Sequence, residues 1–408
     1  MDKNASIPSE HVVASDGKGG LIDTGINYNA VSLMRFSGGY TKSGQVSDVT
    51  YLGDWAGCEP RSKELMSKFP FYLLNRVDLD TYKADGTKVG TGDLALIRMP
   101  NCYVKIEILD DDSTTVMFAN YKVDDTYQRL APDQFEWLCL GCYKASLVDG
   151  ILRSVAGNNP AAPISQEQQI NYMPYFKTSG GTLRRADSED WRARAMADLL
   201  VVGYLGTFNS QENGKGFKGI VDYDWNDGDR SILDADSQKT GVTDSLGRGV
   251  ETGELTGTST AASLASGKRP FKVLGMENLW GDVGENVSGL VHKDGRVYAY
   301  TGSEPITAEQ WRPSDTNTAL VDTGIQMATA SGFQKRHSTY GGFLFPTEVK
   351  GNDSIGVGDH YWKGSGWCIM FLGGGWTDDS RAGLFCLGAD CGWGRSPSDH
   401  GARLSAMM

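Results

Sequence analysis

Glycine constrains this chain more strongly than any other feature of its sequence. The 408 residues include 52 Gly against 13 Pro, and they follow no triplet repeat. A collagen-like helix is therefore excluded, and the glycines indicate many tight turns. Hydrophobic residues make up 39% of the chain, which is enough for a packed core and excludes disorder throughout. At about 150 residues per domain, the length predicts two or three units.

Charge and hydropathy exclude two classes of partner. The formal net charge is −12, from 39 basic and 51 acidic residues, whereas a nucleic-acid-binding protein usually carries a basic balance or a basic stripe. No apolar run approaches the roughly 20 residues of a membrane-spanning helix. Residues 1–8 lack the apolar core of a secretion signal. We therefore expect no signal peptide, no nucleic-acid partner and no membrane insertion.

The seven cysteines indicate neither a disulfide framework nor a metal centre. Their number is odd and they are scattered along the chain, which favours a reducing compartment. Cys139 and Cys142 form a C-x-x-C pair, but no second pair stands at a distance suited to zinc. We interpret both as buried thiols, since free cysteine behaves as a small hydrophobe. The five histidines form no spaced pair either, so the sequence predicts no metal and no cofactor.

The hydrophobic pattern predicts short strands and few helices. Residues 103–109 alternate with period two, and residues 114–121 return after a turn, which predicts a hairpin. Residues 188–202 predict an amphipathic helix, with Asp187 or Ser188 as its N-cap. This mixture is typical of an α+β fold with much irregular backbone.

The chain divides into regions of different composition. Residues 1–88 hold short apolar runs between Gly, Ser and Asp, and predict a small β-rich region for attachment or oligomerisation. Residues 89–408 carry the clearer patterns. Within them, residues 209–270 are rich in Gly, Asp, Ser and Thr and predict a long insertion-like loop. Glycine and aromatic residues then become dense towards the C-terminus.

Several motifs of the second region occur in an order that resembles a known family. They are YKAS at 143–146, GYLGTFNSQ at 203–211, MENLWGDV at 276–283, FP at 345–346 with DHYW at 359–362, and LGGGW at 372–376 with GARL at 401–404. Together they resemble the variable proteins of diversity-generating retroelements, which include phage receptor-binding proteins of the major tropism determinant type. The resemblance implies a C-type lectin fold of the formylglycine-generating-enzyme type over residues 89–408.

The resemblance also implies a variable region at residues 373–404. In this family, reverse transcription with errors at adenines rewrites the end of the gene, and the changed side chains form a binding face. Carried over, the face comprises Gly375, Thr377, Asp378, Asp379, Arg381, Cys386, Gly388, Asp390, Cys391, Gly394, Arg395, Pro397, Asp399 and His400. Trp376, Phe385, Trp393 and Arg403 would form the scaffold beneath it. Arg381, Arg395 and His400 are the expected anchors.

The composition of this region agrees with such a history. Adenine errors in AAC-type codons leave the final C unchanged, so they never produce Lys, Glu, Gln or Met. Residues 377–400 contain none of these four types, and Trp393 would be a fixed scaffold position. A general bias towards glycine would have the same effect.

The family implies a binding function without catalysis. The expected ligand is a protein or glycan on the host-cell surface, and the expected setting is a phage tail, with other tail proteins as partners and a homotrimeric assembly. The bacterial cytoplasm and the cell surface are the alternative locations.

Three other functions remain open at this stage. Cys386 and Cys391 are spaced like the cysteine pair of formylglycine-generating oxidases, but Cys386 follows Trp376 by ten residues, which is too far for that register. A calcium-dependent lectin is suggested by WND at 225–227, although its partner motif is absent and EPI at 304–306 departs from it. A structural tail protein without a receptor role is the third alternative.

Overall fold

The computed structural model describes most of the chain after residue 73. The described residues are 74–108, 113–119, 122, 124–205, 208, 239–244, 271–350, 359–375, 378, 381–397 and 399–408. Before residue 74, four strands are described by their backbone alone. The predicted loop at 209–270 therefore lies outside the described residues, apart from the turn at 239–244.

Strands predominate in the described residues, as an α+β or mostly β fold requires. Three helices accompany them: α1 (Gln166–Asn171), α2 (Trp191–Leu205) and α3 (Ala308–Trp311). Capping boxes begin α1 at Ser165 and α3 at Thr307, because a Gln three residues later returns the hydrogen bond to the cap.

The N-terminal strands form a small sheet together with the predicted hairpin. The first nine strands are β1 (Val13–Ser15), β2 (Leu21–Asp23), β3 (Met34–Tyr40), β4 (Val46–Tyr51), β5 (Asn75–Tyr82), β6 (Lys88–Pro100), β7 (Tyr103–Ile108), β8 (Ser113–Ala119) and β9 (Gln128–Arg129). β1 pairs with β2, and a five-stranded sheet has the order β4-β3-β8-β7-β9. The predicted hairpin is confirmed as β7 and β8, which pair antiparallel.

A seven-stranded sheet joins the beginning of the described region to the C-terminus. The next ten strands are β10 (Trp137–Lys144), β11 (Ser146–Val148), β12 (Ile151–Arg153), β13 (Tyr175–Lys177), β14 (Leu183–Arg185), β15 (Asp187–Ser188), β16 (Lys272–Val273), β17 (Met276–Glu277), β18 (Gly284–Lys293) and β19 (Arg296–Tyr300). The last eight are β20 (Leu320–Gln326), β21 (Gly332–Tyr340), β22 (Phe343–Lys350), β23 (His360–Lys363), β24 (Trp367–Leu372), β25 (Leu387–Cys391), β26 (His400–Gly401) and β27 (Arg403–Met407). Seven of the strands named so far form the seven-stranded sheet, in the order β14-β13-β5-β6-β10-β27-β15.

Strand pairing continues across the predicted division at residue 88. β5 lies before that position and β6 begins at it, yet the two strands pair along most of their length. β3 likewise pairs with β8. The predicted division at residue 88 thus does not separate two sheets, because β5 before it pairs with β6 after it.

A nine-stranded sheet carries most of the C-terminal region. Its order is β20-β19-β18-β24-β25-β23-β21-β22, with β26 paired in parallel to β18. β25 lies inside this sheet, antiparallel to β24 and parallel to β23. β11 pairs with β12, and β16 with β17, as separate two-stranded sheets.

The long helix differs from its prediction in its start and in its surroundings. α2 begins at Trp191, since Asp187 and Ser188 belong to β15. Neither can therefore be the N-cap; the Asp190 carboxylate instead accepts a hydrogen bond from the backbone N–H of Arg192 at 2.8 Å. Every residue from 191 to 203 is buried, so the helix has no solvent face over these residues. It packs against β10, β18 and β22, at the centre of the main hydrophobic core.

Candidate functional site

The predicted variable region, residues 373–404, runs from one large sheet into the other. It leaves β24, forms a loop to β25, forms a second loop to β26, and ends with β27. β25 has a strand on each side in the nine-stranded sheet. β27 lies between β10 and β15 in the seven-stranded sheet. The first loop is therefore held at both ends by strands with hydrogen-bonded neighbours on both sides, β24 and β25, whereas the second loop runs from β25 to β26, which pairs with β18 alone.

Arg403 anchors the last strand in a buried network of charges. Its Nε lies 2.6 Å from Oε1 of Glu285, and its Nη1 donates to the carbonyl of Gly141 at 2.8 Å. Lys144 and Arg194 reach the same carboxylate at 2.9 and 2.7 Å. Burial by itself would raise the pKa of Glu285, but the charges of Arg403, Lys144 and Arg194 lower it to about 2. The carboxylate is thus ionised and tied to three elements.

Arg194 extends this network through α2. Its guanidinium also contacts Glu189 at 2.6 Å and Asp198 at 2.7 Å, and Nη2 donates to the carbonyl of Leu384 at 3.3 Å. Leu384 lies in the loop before β25, so the network connects the central helix to the variable region. Losing one member of such a network leaves a buried charge without its partner, which costs about 3–5 kcal/mol.

Seven predicted face residues are at least partly exposed, and we call them the C-terminal face. Four are exposed and three are half-buried; they are Arg381, Asp390, Gly394 and Arg395, and Asp378, Pro397 and Asp399. Electrostatic coupling indicates that the charged members lie near one another. Asp399 and Asp390 both raise the pKa of Asp378, and Arg381 lowers it.

A turn orders the first loop of the face. Oδ2 of Asp378 accepts from the backbone N–H of Gly375 at 2.7 Å, and Nε of Arg381 donates to the carbonyl of Asp378 at 3.1 Å. Burial raises the pKa of Asp378 to about 6. The guanidinium of Arg381 then lies over the ring of Trp362, 5.9 Å from its centroid. The hydrogen bond to Asp378 and the contact with Trp362 thus both hold the side chain of Arg381.

The other predicted face residues have different positions. Five are buried, namely Gly375, Cys386, Gly388, Cys391 and His400. The ring of His400 packs at 3.9 Å from that of Phe371, measured between centroids, and burial lowers its pKa to about 4. His400 is thus a neutral side chain beneath the surface near pH 7, which does not suit the expected charged anchor. Thr377 and Asp379 lie outside the described residues, as does the scaffold residue Trp376.

The remaining scaffold residues lie beneath the face or beside it. Phe385 and Arg403 are buried, and Trp393 is half-buried. The ring of Trp393 meets that of Trp311 edge to face, with centroids 5.4 Å apart. Main-chain N–H of Phe385 donates to Oδ2 of Asp359 at 2.7 Å.

Two glycines of the predicted variable region differ sharply in the space around them. A Cβ atom at Gly388 would lie 1.7 Å from Cζ of Phe371, whereas one at Gly394 would meet no atom within 4 Å. Gly394 therefore has room for a Cβ atom. Gly388 can accept one only if the Phe371 ring moves.

A strip of aromatic rings that was not predicted from the sequence lies next to the C-terminal face. His360 and Trp362 lie 4.5 Å apart between centroids, and Trp362 stacks at 6.5 Å from Phe371. Phe333 meets His360 edge to face at 5.2 Å. His360, Trp362 and Phe333 are half-buried. Alternation along β23 was a usable signal, because residues two apart in a strand share a face.

The two cysteines of the oxidase alternative are poorly suited to nucleophilic chemistry. Both are buried. Burial raises the pKa of Cys391 to about 12 and that of Cys386 well above its usual value. Because the thiolate is the reactive form, both side chains are unreactive at neutral pH in this conformation. Each cysteine that the structure describes is a free thiol.

The described residues contain neither a candidate metal site nor a membrane-spanning helix. Within that part of the chain, no three His, Cys, Asp or Glu side chains cluster in a way that could hold a metal ion. The WND segment at 225–227 lies outside it. None of the described helices has the length and apolar character needed to cross a membrane.

Comparison with known proteins gives no assignment. No protein-family model matches the chain, and no curated protein matches it either.

Proposed function

We propose that this chain is a non-catalytic ligand-binding protein, and that the C-terminal face is its contact surface. The observation that carries the proposal is a contrast within the predicted variable region: the exposed side chains of Arg381 and Arg395 stand on two loops, and that of Asp390 on β25, while the strands that bound these loops, β24, β25 and β26, are paired in the nine-stranded sheet. Rigid support of this kind limits the conformational entropy lost on binding. The sheet-rich fold is compatible with the C-type lectin fold, which we propose for residues 89–408.

We further propose that adenine-specific retroelement mutagenesis diversifies this face. Gly394 supports the idea, since a side chain there would enter open space. Arg381, Asp390 and Arg395 are exposed, and substitutions at exposed positions usually change stability by less than about 0.5 kcal/mol. Gly388 is surrounded closely, so we assign it to the frame.

The ligand that we propose is a protein or glycan of the host-cell surface, bound from a phage tail by a homotrimer. Arg381 and Arg395 supply the anchors, because arginine is enriched among residues that dominate binding energy. Three copies on one tail raise a weak single-site affinity through multivalency. The buried state of Cys386 and Cys391 disfavours the oxidase alternative.

A cell-binding assay tests this function. The fluorescently labelled full chain is incubated with a panel of bacteria, and its binding is compared with that of a quadruple variant that carries Arg381→Ser, Asp390→Ser, Gly394→Ser and Arg395→Ser. We expect the quadruple variant to lose binding to the recognised strain while its melting temperature stays within a few degrees of that of the parent.

The control variant alters an exposed ion pair on β19 and β20. Arg296 and Asp322 lie 2.8 Å apart, and both are exposed. Changing both to Ser should leave cell binding intact. Equal binding of the parent and the quadruple variant to every recognised strain would refute the proposal that the C-terminal face is the contact surface. In the genome, a neighbouring reverse transcriptase gene and an adenine-rich template repeat would support diversification, and a locus with neither would refute it.

A further inference from the structure

A cleft of about 700 Å³ lies between two sheets, apart from the C-terminal face. Tyr103 of β7 and Arg129 of β9 form one wall, and Thr339 and Tyr340 of β21 form the other. Trp191, the first residue of α2, contributes to the lining between them. The volume falls within the range of small-molecule sites, which prefer the junctions between structural units.

A tight turn that packs on Trp191 holds the β21 wall. Gly341 and Gly342 connect β21 to β22 with φ angles of 52° and 84°, as a two-residue hairpin turn with two left-handed positions requires. A Cβ at Gly341 would lie 2.6 Å from Cη2 of Trp191, so the turn rests directly on the indole. The neighbouring Tyr340 ring lies 5.7 Å from that of Trp191.

Aromatic surface lines much of the cleft. Tyr103 and Tyr340 are half-exposed, while Tyr127 and Trp191 are buried behind them. Such rings offer a flat apolar face together with a polar end. The guanidinium of Arg129 lies over the ring of Tyr103 at 5.0 Å, which places a planar donor group beside the aromatic surface.

The cations of the cleft already have carboxylate partners. Arg192 contacts both oxygens of Asp190, at 2.9 and 2.7 Å. Lys122 pairs with Asp125 at 2.7 Å, and Arg129 lies 3.7 Å from Asp133. A phosphate or another anion would have to compete with these carboxylates. The charges therefore favour a neutral ligand.

Two polar atoms of the cleft residues remain unsatisfied. Nε of Arg129 and Oγ1 of Thr339 are buried without a hydrogen-bond partner among the described residues, although a buried donor without a partner costs about 1–3 kcal/mol. We propose that this cleft binds a neutral saccharide. Its C–H faces would pack on Tyr103 and Tyr340. Nε of Arg129 and Oγ1 of Thr339 have almost no solvent-accessible surface, so the hydroxyl groups of the sugar would bond to them after these two side chains turn towards the cleft. The proposal is independent of the function assigned to the C-terminal face.

Saturation-transfer NMR on the full chain tests the proposal. The probes are glucose, galactose, mannose and N-acetylglucosamine at millimolar concentration, with inorganic phosphate as the anionic competitor. We expect transfer to at least one sugar and no displacement by phosphate. Arg129→Met should weaken binding about tenfold or more, since a hydrogen bond to a charged group contributes about 1.5–3 kcal/mol. Thr339→Val, which replaces only the hydroxyl by a methyl group, should weaken it several-fold.

Two controls locate the binding. Arg296→Met removes an exposed arginine elsewhere and should not change the sugar signal, whereas Arg381→Ser shows whether the sugar binds at the C-terminal face instead of in the cleft. If Arg129→Met does not fold, Thr339→Val carries the test. Three results would overturn the proposal: no transfer to any of the four sugars, unchanged sugar binding in the folded cleft variants, or displacement of the sugar by phosphate. Loss of sugar binding in Arg381→Ser alone would move the site to the C-terminal face.

Discussion

Substituting alanine at Gly388 and at Gly394 separates fixed positions from replaceable ones. Both residues lie in the predicted variable region, and both substitutions add one methyl group. At Gly388, the added carbon would lie 1.7 Å from Cζ of Phe371, whereas non-bonded carbons prefer about 3.5–4.0 Å. The Phe371 ring would have to move by about 2 Å.

The surroundings of Phe371 make that movement costly. Its ring is 3.9 Å from that of His400 and stacks on Trp362 at 6.5 Å. Overpacking of this kind costs about 1–3 kcal/mol. Gly394→Ala meets no atom within 4 Å, and we expect a change within about 0.5 kcal/mol.

Urea denaturation followed by tryptophan fluorescence measures both free energies of unfolding. The expected result is a destabilised Gly388→Ala beside an unchanged Gly394→Ala. Equal stability of the two variants would refute the distinction between a closed and an open glycine. A destabilised Gly394→Ala would contradict the placement of the second loop at the surface.

Three further substitutions test the frame. Arg403→Met should cost about 3–5 kcal/mol by denaturation, because it leaves Glu285 with two of its three cationic partners; an unchanged midpoint would contradict the buried network. Trp393→Ala should cost about 2 kcal/mol, less than a fully buried tryptophan, since the ring is half-buried against Trp311, and an unaltered stability would place the ring in solvent. Burial raises the pKa of Asp378 from its ordinary value of 3.8 to about 6 in the folded state. Between pH 4 and pH 6, the folded state therefore keeps a proton that the unfolded state has released. Its contribution to stability is therefore present below pH 4 and falls as the pH rises to 6, by up to about 3 kcal/mol. Asp378→Asn should flatten this part of the profile in denaturation at pH 4 and pH 7, and profiles of equal slope would show that Asp378 does not titrate there.

Local patterns predicted local structure well. Period-two alternation located the hairpin of β7 and β8 to within two residues at each end. The helix at 188–202 was found as α2, three residues further along the chain. These elements are encoded by neighbours in sequence, so a short window contains the necessary information.

Burial of charge could not be predicted in the same way. Arg194 and Asp198 stand four residues apart, a spacing typical of an exposed ion pair on a helix surface. In the structure both are buried, because Glu189 and Glu285 complete the network from other elements. Glu285 lies 91 residues after Arg194 in the sequence, so a short stretch of sequence could not predict their contact.

Exposure within the predicted face could be predicted only in part. Of the residues proposed between 375 and 400, seven are exposed or half-buried and five are buried. Whether a glycine is open or closed depends on a ring from another strand, as Phe371 shows at Gly388. The same dependence buries Cys386 and His400, which a list of variable positions could not distinguish from exposed residues.

Selection from a randomised library separates replaceable positions from fixed ones. Positions 381, 390, 394 and 395 are randomised together with positions 388 and 403, and the displayed variants are selected for binding to two different bacterial strains. We expect the two selections to enrich different residues at the four exposed positions, while Gly388 and Arg403 return in both. Recovery of the same residues at the four positions from both strains, or free variation at 388 and 403, would contradict it.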